Sequence, residues 1–408
     1  MIIHPSRRDG GIMNCFLDAD DELHTGQETV IENCLRVLEE ISGSAIGIAP
    51  LPDHFPSLPP LSDEQVERLQ RSCKSGKALS FDGYSDTWIK NTKKLDFLRD
   101  LWRGDVICKM KDSFQARLCP LNKVWPDIPQ REQFRPIAIL SAMFKFLELR
   151  FLGRLNGYLK YDMDPNQIGF VKGMSTQVNI RLLIEKLKSV KAKDGECTLL
   201  IDFKSAYNTV NRQRLYAIML KKQILPPEEI DFLKILHDNL YFVGKDKRRV
   251  FLQNGVHQGS PISPALFNIY IEEVMARIQE DLAGRNMWYK LYADDLVIII
   301  KHRDIHDLLR SLRHWSADFS LKINEKKSGI FLNQKRLRPE ESFIDGFPVI
   351  GSYPYLGVAL NNKGNIKPQM TVIKRRADYL IRAMKYVAKD LTFENQFLIW
   401  SAYIRPYF

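Results

Sequence analysis

The run Lys290-Leu291-Tyr292-Ala293-Asp294-Asp295-Leu296-Val297-Ile298-Ile299-Ile300 constrains the fold more than any other stretch. The β-branched residues after the acids favour a strand, and the apolar approach is short. The pattern predicts strand–turn–strand, with both acids at the bend. Adjacent carboxylates repel each other, and a fold keeps such a pair mainly where a cation neutralises it. Mg²⁺ takes oxygen ligands of this kind. An isolated Asp-Asp also fits an acidic hairpin tip in water, so the neighbouring segments must decide.

A second acid stands at the end of an apolar strand, Thr198-Leu199-Leu200-Ile201-Asp202-Phe203, with a helix expected from Ser205 through Leu220. The carboxyl end of such a strand is a common place for metal chemistry in α/β sheets. A helix N-cap is the alternative role for Asp202. Asp202 precedes Asp294 by 92 residues. If the two strands are neighbours, three carboxylates converge, and such a cluster can hold two Mg²⁺ ions roughly 3.5–4 Å apart. One ion would lower the pKa of an attacking hydroxyl, and the other would stabilise a leaving pyrophosphate. That chemistry is in-line nucleotidyl transfer.

Charge points the same way. The 408 residues carry a net +11, but residues 1–60 hold three arginines against ten acids, near −7, which leaves near +18 for the rest. A basic body suggests a polyanionic partner. The six cysteines are scattered without a Cys-x-x-Cys pair, which argues against a zinc knuckle or a disulfide framework. No apolar run approaches the roughly 18 residues of a membrane helix, and no signal-peptide core follows the N-terminus.

Along the chain, residues 27–42 read as an amphipathic helix through Ile31, Leu35, Leu38 and Ile41. The proline-rich stretch 50–60 reads as an extended connector and a boundary. Ser62 and Gln65 form a capping box. Phe134 to Leu140 is a strand, and Ser141 to Leu155 a helix. Pro264 suits the first turn of a helix that runs to about Leu282. Residues 370–388 form a last amphipathic helix with a basic outer face, in a tail (367–408) of eight Lys or Arg against three acids. The chain ends without an obvious stop signal, as if cut from something longer.

Taken in order, Lys123, Arg135-Pro136-Ile137, Gln167-x-Gly169-Phe170, Asp202…Ala206-Tyr207, Gln258-Gly259-x-x-x-Ser263-Pro264, Tyr292-Ala293-Asp294-Asp295, Asn324-x-x-Lys327 and Leu356-Gly357 resemble the successive blocks of a reverse transcriptase. The match covers about residues 74–360. In detail it is most like the non-LTR (LINE-type) retrotransposon branch, with Lys77…Asp82-Gly83 similar to that branch's extra N-terminal block; group II intron enzymes are close relatives.

The resemblance implies an α+β fold of right-hand polymerase architecture: fingers and a palm with an antiparallel sheet backed by helices, the start of an α-helical thumb, and a helical N-terminal extension. Its divisions would be 1–60 for the acidic extension, 61–197 for fingers, 198–360 for palm interleaved with fingers, and 361–408 for a partial thumb. It implies two Mg²⁺ ions, with Mn²⁺ as a substitute, held at Asp202, Phe203, Asp294 and Asp295. Lys123 and Arg135 would clamp the incoming triphosphate. Phe203, Ala206, Tyr207, Gln258 and Gly259 would line the nucleotide site. Lys327 would protonate the departing pyrophosphate, with Lys326 as its rival. Tyr207 would occupy the space of a ribose 2′-hydroxyl and exclude ribonucleotides. Lys77, Gln167, Gly169, Lys374, Arg375 and Arg382 would meet nucleic acid. The partners would be an RNA template, a DNA primer or RNA–DNA hybrid, and dNTPs, in nucleus or cytoplasm, with no membrane and no identified protein partner. A domesticated relative (telomerase-like or an intron maturase) is the alternative, and a non-catalytic scaffold a third.

Overall fold

A computed structural model describes residues 11–43, 55–76, 82–124, 127–189, 195–332, 342–387 and 391–401. The architecture is α+β. The chain forms two compact units and passes repeatedly from one to the other. The first gathers the described parts of Met1–Lys172, Lys204–Gln279 and His314–Lys322; the second gathers those of Gly173–Phe203, Glu280–Arg313 and Ile323–Phe408. These limits differ from the sequence boundaries at 60, 197 and 360.

In the first unit a four-stranded sheet has the order Phe134–Ile139, Gln115–Asn122, Tyr241–Val243, Arg249–Phe251. The outer pairs are antiparallel and the middle pair is parallel. Helix Ala142–Tyr161 starts where predicted, with Ser141 as N-cap, and buries Phe144, Phe146, Leu147, Phe151 and Leu155. Helix Ser263–Asp281 buries residues around its whole circumference, including Phe267, Tyr270 and Val274, as a helix in the middle of a core does. Helix Gln27–Ser42 has the predicted bounds and packs through Val30, Cys34, Leu35, Val37 and Leu38. Both halves of the Ser62–Gln65 capping box form, and the helix Asp63–Ser72 follows.

Two expectations need correction here. Of the proline-rich stretch, residues 50–54 lie outside the described residues. The remainder is no free linker: Phe55 and Leu58 are buried, Phe55 lies edge-on to Phe232, and Leu58 donates its N–H to the Trp102 carbonyl at 3.0 Å. The apolar residues between the prolines carry this packing. The helix expected over Ser205–Leu220 is two helices, Ala206–Thr209 and Arg212–Lys221. Asn211 breaks it, because its side chain caps the second helix at the Arg214 N–H.

The second unit is built on an antiparallel sheet in the order Gly329–Leu332, Glu196–Ile201, Asp295–Lys301, Trp288–Tyr292. Alternation sends Leu200, Val297 and Ile299 to one face, where they meet Leu183 and Leu187 of helix Thr176–Ser189 and Tyr353, Tyr355 and Leu360. Leu199, Leu296, Ile298 and Ile300 point to the other face and are also buried. Burial on both faces explains the unbroken apolar run in the sequence. Tyr353 and Tyr355 belong to the hairpin Ser352–Tyr355 and Val358–Asn361, whose two turn residues, Leu356 and Gly357, both have positive φ, as a type I′ turn requires. Among the described residues, no helix is long and apolar enough to cross a membrane.

Candidate active site

The predicted hairpin forms, with Tyr292 paired to Asp295. Its two-residue turn is Ala293-Asp294, and Ala293 takes φ +56°. Positive φ in a non-glycine residue stores strain, and such residues cluster at functional sites. Next to the hairpin, Ile201 pairs with Leu296. The ladder ends at this pair, and Asp202 is the next residue along its strand's path, close enough for its charge to act on the Asp295 carboxyl. Asp295 itself shares the sheet face of Val297 and Ile299. Asp202, Asp294 and Asp295 therefore come to one end of one sheet, within one unit.

The electrostatics of this end are unfavourable for three bare carboxylates. Burial, then the charge of Asp294, then that of Asp202, push the Asp295 carboxyl up from 3.8 to about 7. Burial first, and then Asp202 and Asp295, also raise the Tyr353 hydroxyl. Burial and then Asp295 raise that of Tyr355, which accepts a hydrogen bond from Asn179 at 3.0 Å. A partly buried set of neighbouring carboxylates suits a hard divalent cation, which would be held by Asp202, Asp294 and Asp295. The Phe203 side chain carries no ligand atom, so only its backbone carbonyl could serve. Among the described residues, the acidic and imidazole ligand atoms lying within 4.8 Å of one another belong to Asp18, Glu22 and His24 rather than to the aspartates.

Asp202 is held by residues the sequence reading did not assign to the site. The Asn324 side-chain amide donates to Asp202 Oδ2 at 2.8 Å, and its backbone N–H donates to the Asp202 carbonyl at 2.8 Å. The Asp202 N–H donates to Ser328 Oγ at 3.1 Å. Lys327 and Ser328 close this turn by donating their N–H groups to the Asn324 carbonyl. Lys327 is exposed, as is Lys326. Asn324 stood in a quoted motif, and that position was the available signal; Ser328 gave none.

Apart from Phe203, which belongs to the second unit, the nucleotide-binding candidates lie in the first unit. Leu121 pairs with Arg135, and the Lys123 N–H donates to the Gln133 carbonyl, which continues the ladder. Lys123 and Arg135 are thus diagonal neighbours on one face, and both are exposed. The same strand holds the Gln258 loop: Ala138 donates its N–H to the Gln258 carbonyl at 2.7 Å. Gly259 has φ +137°, and a Cβ there would lie 2.0 Å from the Ala138 carbonyl oxygen, so only glycine fits. Ala206 is buried in the one-turn helix. Tyr207 stacks on Phe267 with ring centroids 4.6 Å apart and planes 9° apart.

The nucleic-acid candidates divide. Lys374, Arg375 and Arg382 are exposed on helix Lys367–Val387. Lys77 lies outside the described residues. Gln167 and Gly169 are buried: the Gln167 amide oxygen accepts the Gly169 N–H, and Asn268 donates to the Gly169 carbonyl. They hold the conformation of this loop, and the exposed residue there is Phe170, at φ +60°.

With this geometry in place, comparison with known proteins decides the family. The model described as "Reverse transcriptase (RNA-dependent DNA polymerase)" matches residues 126–360. The chain belongs to the reverse transcriptase family. This family generally uses divalent metal ions. The chain is similar to the probable RNA-directed DNA polymerase from transposon BS of Drosophila melanogaster, 24% identical over 276 residues that cover 63% of this chain and 30% of the relative. It is also similar to the Pol polyproteins from the type-1 retrotransposable element R2. That of Popillia japonica is 28% identical over 47% of this chain and 35% of the relative. That of Nasonia vitripennis is 25% identical over 77% and 32%. The chain spans about a third of the length of these relatives.

Proposed function

We propose that this chain is the polymerase region of a non-LTR retroelement protein and extends a DNA primer on an RNA template with dNTPs. The convergence of Asp202 on Asp294 and Asp295 at one end of the sheet, in a chain of this family, carries the reading. In this reading the first unit's Lys123 and Arg135 receive the triphosphate, and Gln258 and Gly259 line the nucleotide and template site. Mg²⁺ bound at the three aspartates supplies a lower pKa for the primer 3′-hydroxyl and stabilises charge on the departing pyrophosphate. Lys327 delivers a proton to that pyrophosphate. The Tyr207 ring, braced by Phe267, fills the space of a 2′-hydroxyl, so the product is DNA. The folded parts take the roles of fingers, palm and the start of a thumb. Helix Lys367–Val387 meets the backbone of the primer–template through Lys374, Arg375 and Arg382. Contacts of this kind are independent of sequence and sensitive to salt.

Primer extension on an RNA template with dNTPs and Mg²⁺, comparing wild type with Asp294→Ala, tests the reading. Extension by wild type alone is expected. A folded wild type that extends nothing removes the polymerase assignment, and equal extension by both removes the metal assignment.

A further inference from the structure

The N-terminal extension is the part of the chain to which the sequence gives no task. Its helix, Gln27–Ser42, ends against the one-turn helix Ala206–Thr209 that carries Tyr207. A helix this short leaves its carbonyls without internal donors, so they must be satisfied from elsewhere. The Ala206 carbonyl accepts from Thr209 Oγ1 at 3.1 Å. That of Tyr207 accepts the Val256 N–H at 2.8 Å, and that of Val210 the Gly255 N–H at 2.7 Å. The Asn208 carbonyl accepts from Ser42 Oγ at 2.9 Å, and Ser42 is fully buried.

The same helix end also grips the segment that leads into Gln258. The Ser42 carbonyl accepts the Asn254 N–H at 2.9 Å, and the Gly43 carbonyl accepts the Gln253 N–H at 3.0 Å. There is little slack on the other side. Gly255 has φ +95°, and a Cβ there would lie 2.9 Å from the Asn208 carbonyl oxygen. Leu38 and Ser42 line a cavity of about 10 Å³ together with Ala138, Asn208, His257 and Gln258. Farther along the helix, Arg248 pairs with Glu39 at 2.8 Å and with Glu32 at 3.2 Å, and Glu32 also accepts the Lys245 N–H. The acidic face of the helix is thus held by Arg248 and Lys245, in the turn that joins strands Tyr241–Val243 and Arg249–Phe251.

We propose that helix Gln27–Ser42 is a positioning element of the nucleotide pocket, with Ser42 the residue that sets the placement of Tyr207 and of the segment entering Gln258. It touches no nucleotide; it acts through the Asn208 carbonyl and the segment 253–258. The inference rests on the polymerase reading above and gives the acidic extension a part in choosing deoxyribonucleotides.

The test uses the full chain and four variants: Ser42→Ala, Glu39→Arg, Arg248→Glu, and the last two combined. In Ser42→Ala the KM for dNTP is expected to rise about fivefold with kcat within about twofold, and discrimination against ribonucleotides to fall by about tenfold, the pattern of a displaced pocket wall. Hydrogen exchange should speed up in peptides covering 204–211 and 253–259 and stay unchanged over 295–301. Unchanged KM and discrimination in a folded Ser42→Ala overturn the proposal, and so does faster exchange spread over the whole chain. If Ser42→Ala does not fold, the charge exchange decides: each single reversal should raise the KM, the pair should restore part of it, because Glu32 stays as a like charge beside position 248, and no restoration at all overturns the proposal. A wild type that extends no primer removes the polymerase reading instead. Hydrogen exchange then judges the clamp by itself, with faster exchange at both segments supporting it and unchanged exchange overturning it.

Discussion

Asn324 holds Asp202 at two points, through its side-chain amide to Oδ2 and through its backbone N–H to the Asp202 carbonyl, both at 2.8 Å. Groups that orient a metal-binding carboxylate typically contribute 10- to 100-fold in metal affinity or activity. Asn324→Ala should therefore lower primer extension by about tenfold or more and shift its Mg²⁺ dependence to higher concentration. Asn324→Asp should be worse, because it loses the donor and sets a fourth negative charge against Asp202. Metal titrations of initial rate provide the check; a wild-type Mg²⁺ curve in Asn324→Asp would count against the role.

The Asp295 carboxyl predicts how stability without metal depends on pH. In the folded chain it keeps its proton up to about 7, whereas unfolded it ionises near 3.8. Between those values the folded state binds more protons, so stability falls as pH rises through the window. The loss is of the order of a few kcal/mol, at about 1.4 kcal/mol per pH unit of displacement. Urea melts in a chelator at pH 5 and pH 7.5 should show this fall in wild type and a smaller one in Asp295→Asn. A divalent cation at pH 7.5 should recover the loss in wild type only. Equal pH slopes in the two proteins would refute the assignment.

Tyr207 stacks on Phe267, so its ring is fixed from behind. Tyr207→Ala should raise ribonucleotide incorporation, by about tenfold or more if the ring costs a 2′-hydroxyl about 1.4 kcal/mol. Tyr207→Phe keeps the ring and should keep discrimination. Competition between dNTP and rNTP on one template measures both, and an unchanged ratio in Tyr207→Ala rejects the gate.

Gly259 has no room for a methyl group against Ala138. Gly259→Ala should push the loop off strand Phe134–Ile139 and reduce kcat/KM for dNTP by at least about tenfold, since small misplacements are costly in a preorganised site. A Gly259→Ala enzyme with wild-type kinetics would show that the loop is not held where its backbone hydrogen bond puts it.

Local signals were legible where local chemistry decides the structure. Ser62 and Gln65 satisfy each other within one turn, and the aspartate hairpin follows from β-branched residues beside a short turn. Asp202 and the Asp294–Asp295 pair could be read from strand ends. What could not be read depends on partners far along the chain. Asn211 marks the helix break locally through its capping side chain, but the partners of the Tyr207 and Val210 carbonyls, Val256 and Gly255, lie far along the chain. Asn324 and Ser328 reach Asp202 across more than a hundred residues. The inward turn of Gln167, which bonds the Gly169 N–H, was equally unreadable, because a polar residue in a glycine-rich loop can face either way. The proline-rich stretch misled for the opposite reason, since its spacing hid the two apolar residues that anchor it.

The approach of Asp202 to Asp295 rests on the pairing of Ile201 with Leu296, not on nearness in sequence. A slip of a single residue would set Ile201 against Asp295 and turn Asp202 to the far side of the sheet. The fold therefore acts as its own inspector: a mispaired chain has no partly working form, and correct assembly of this sheet is the licence for any chemistry the protein performs.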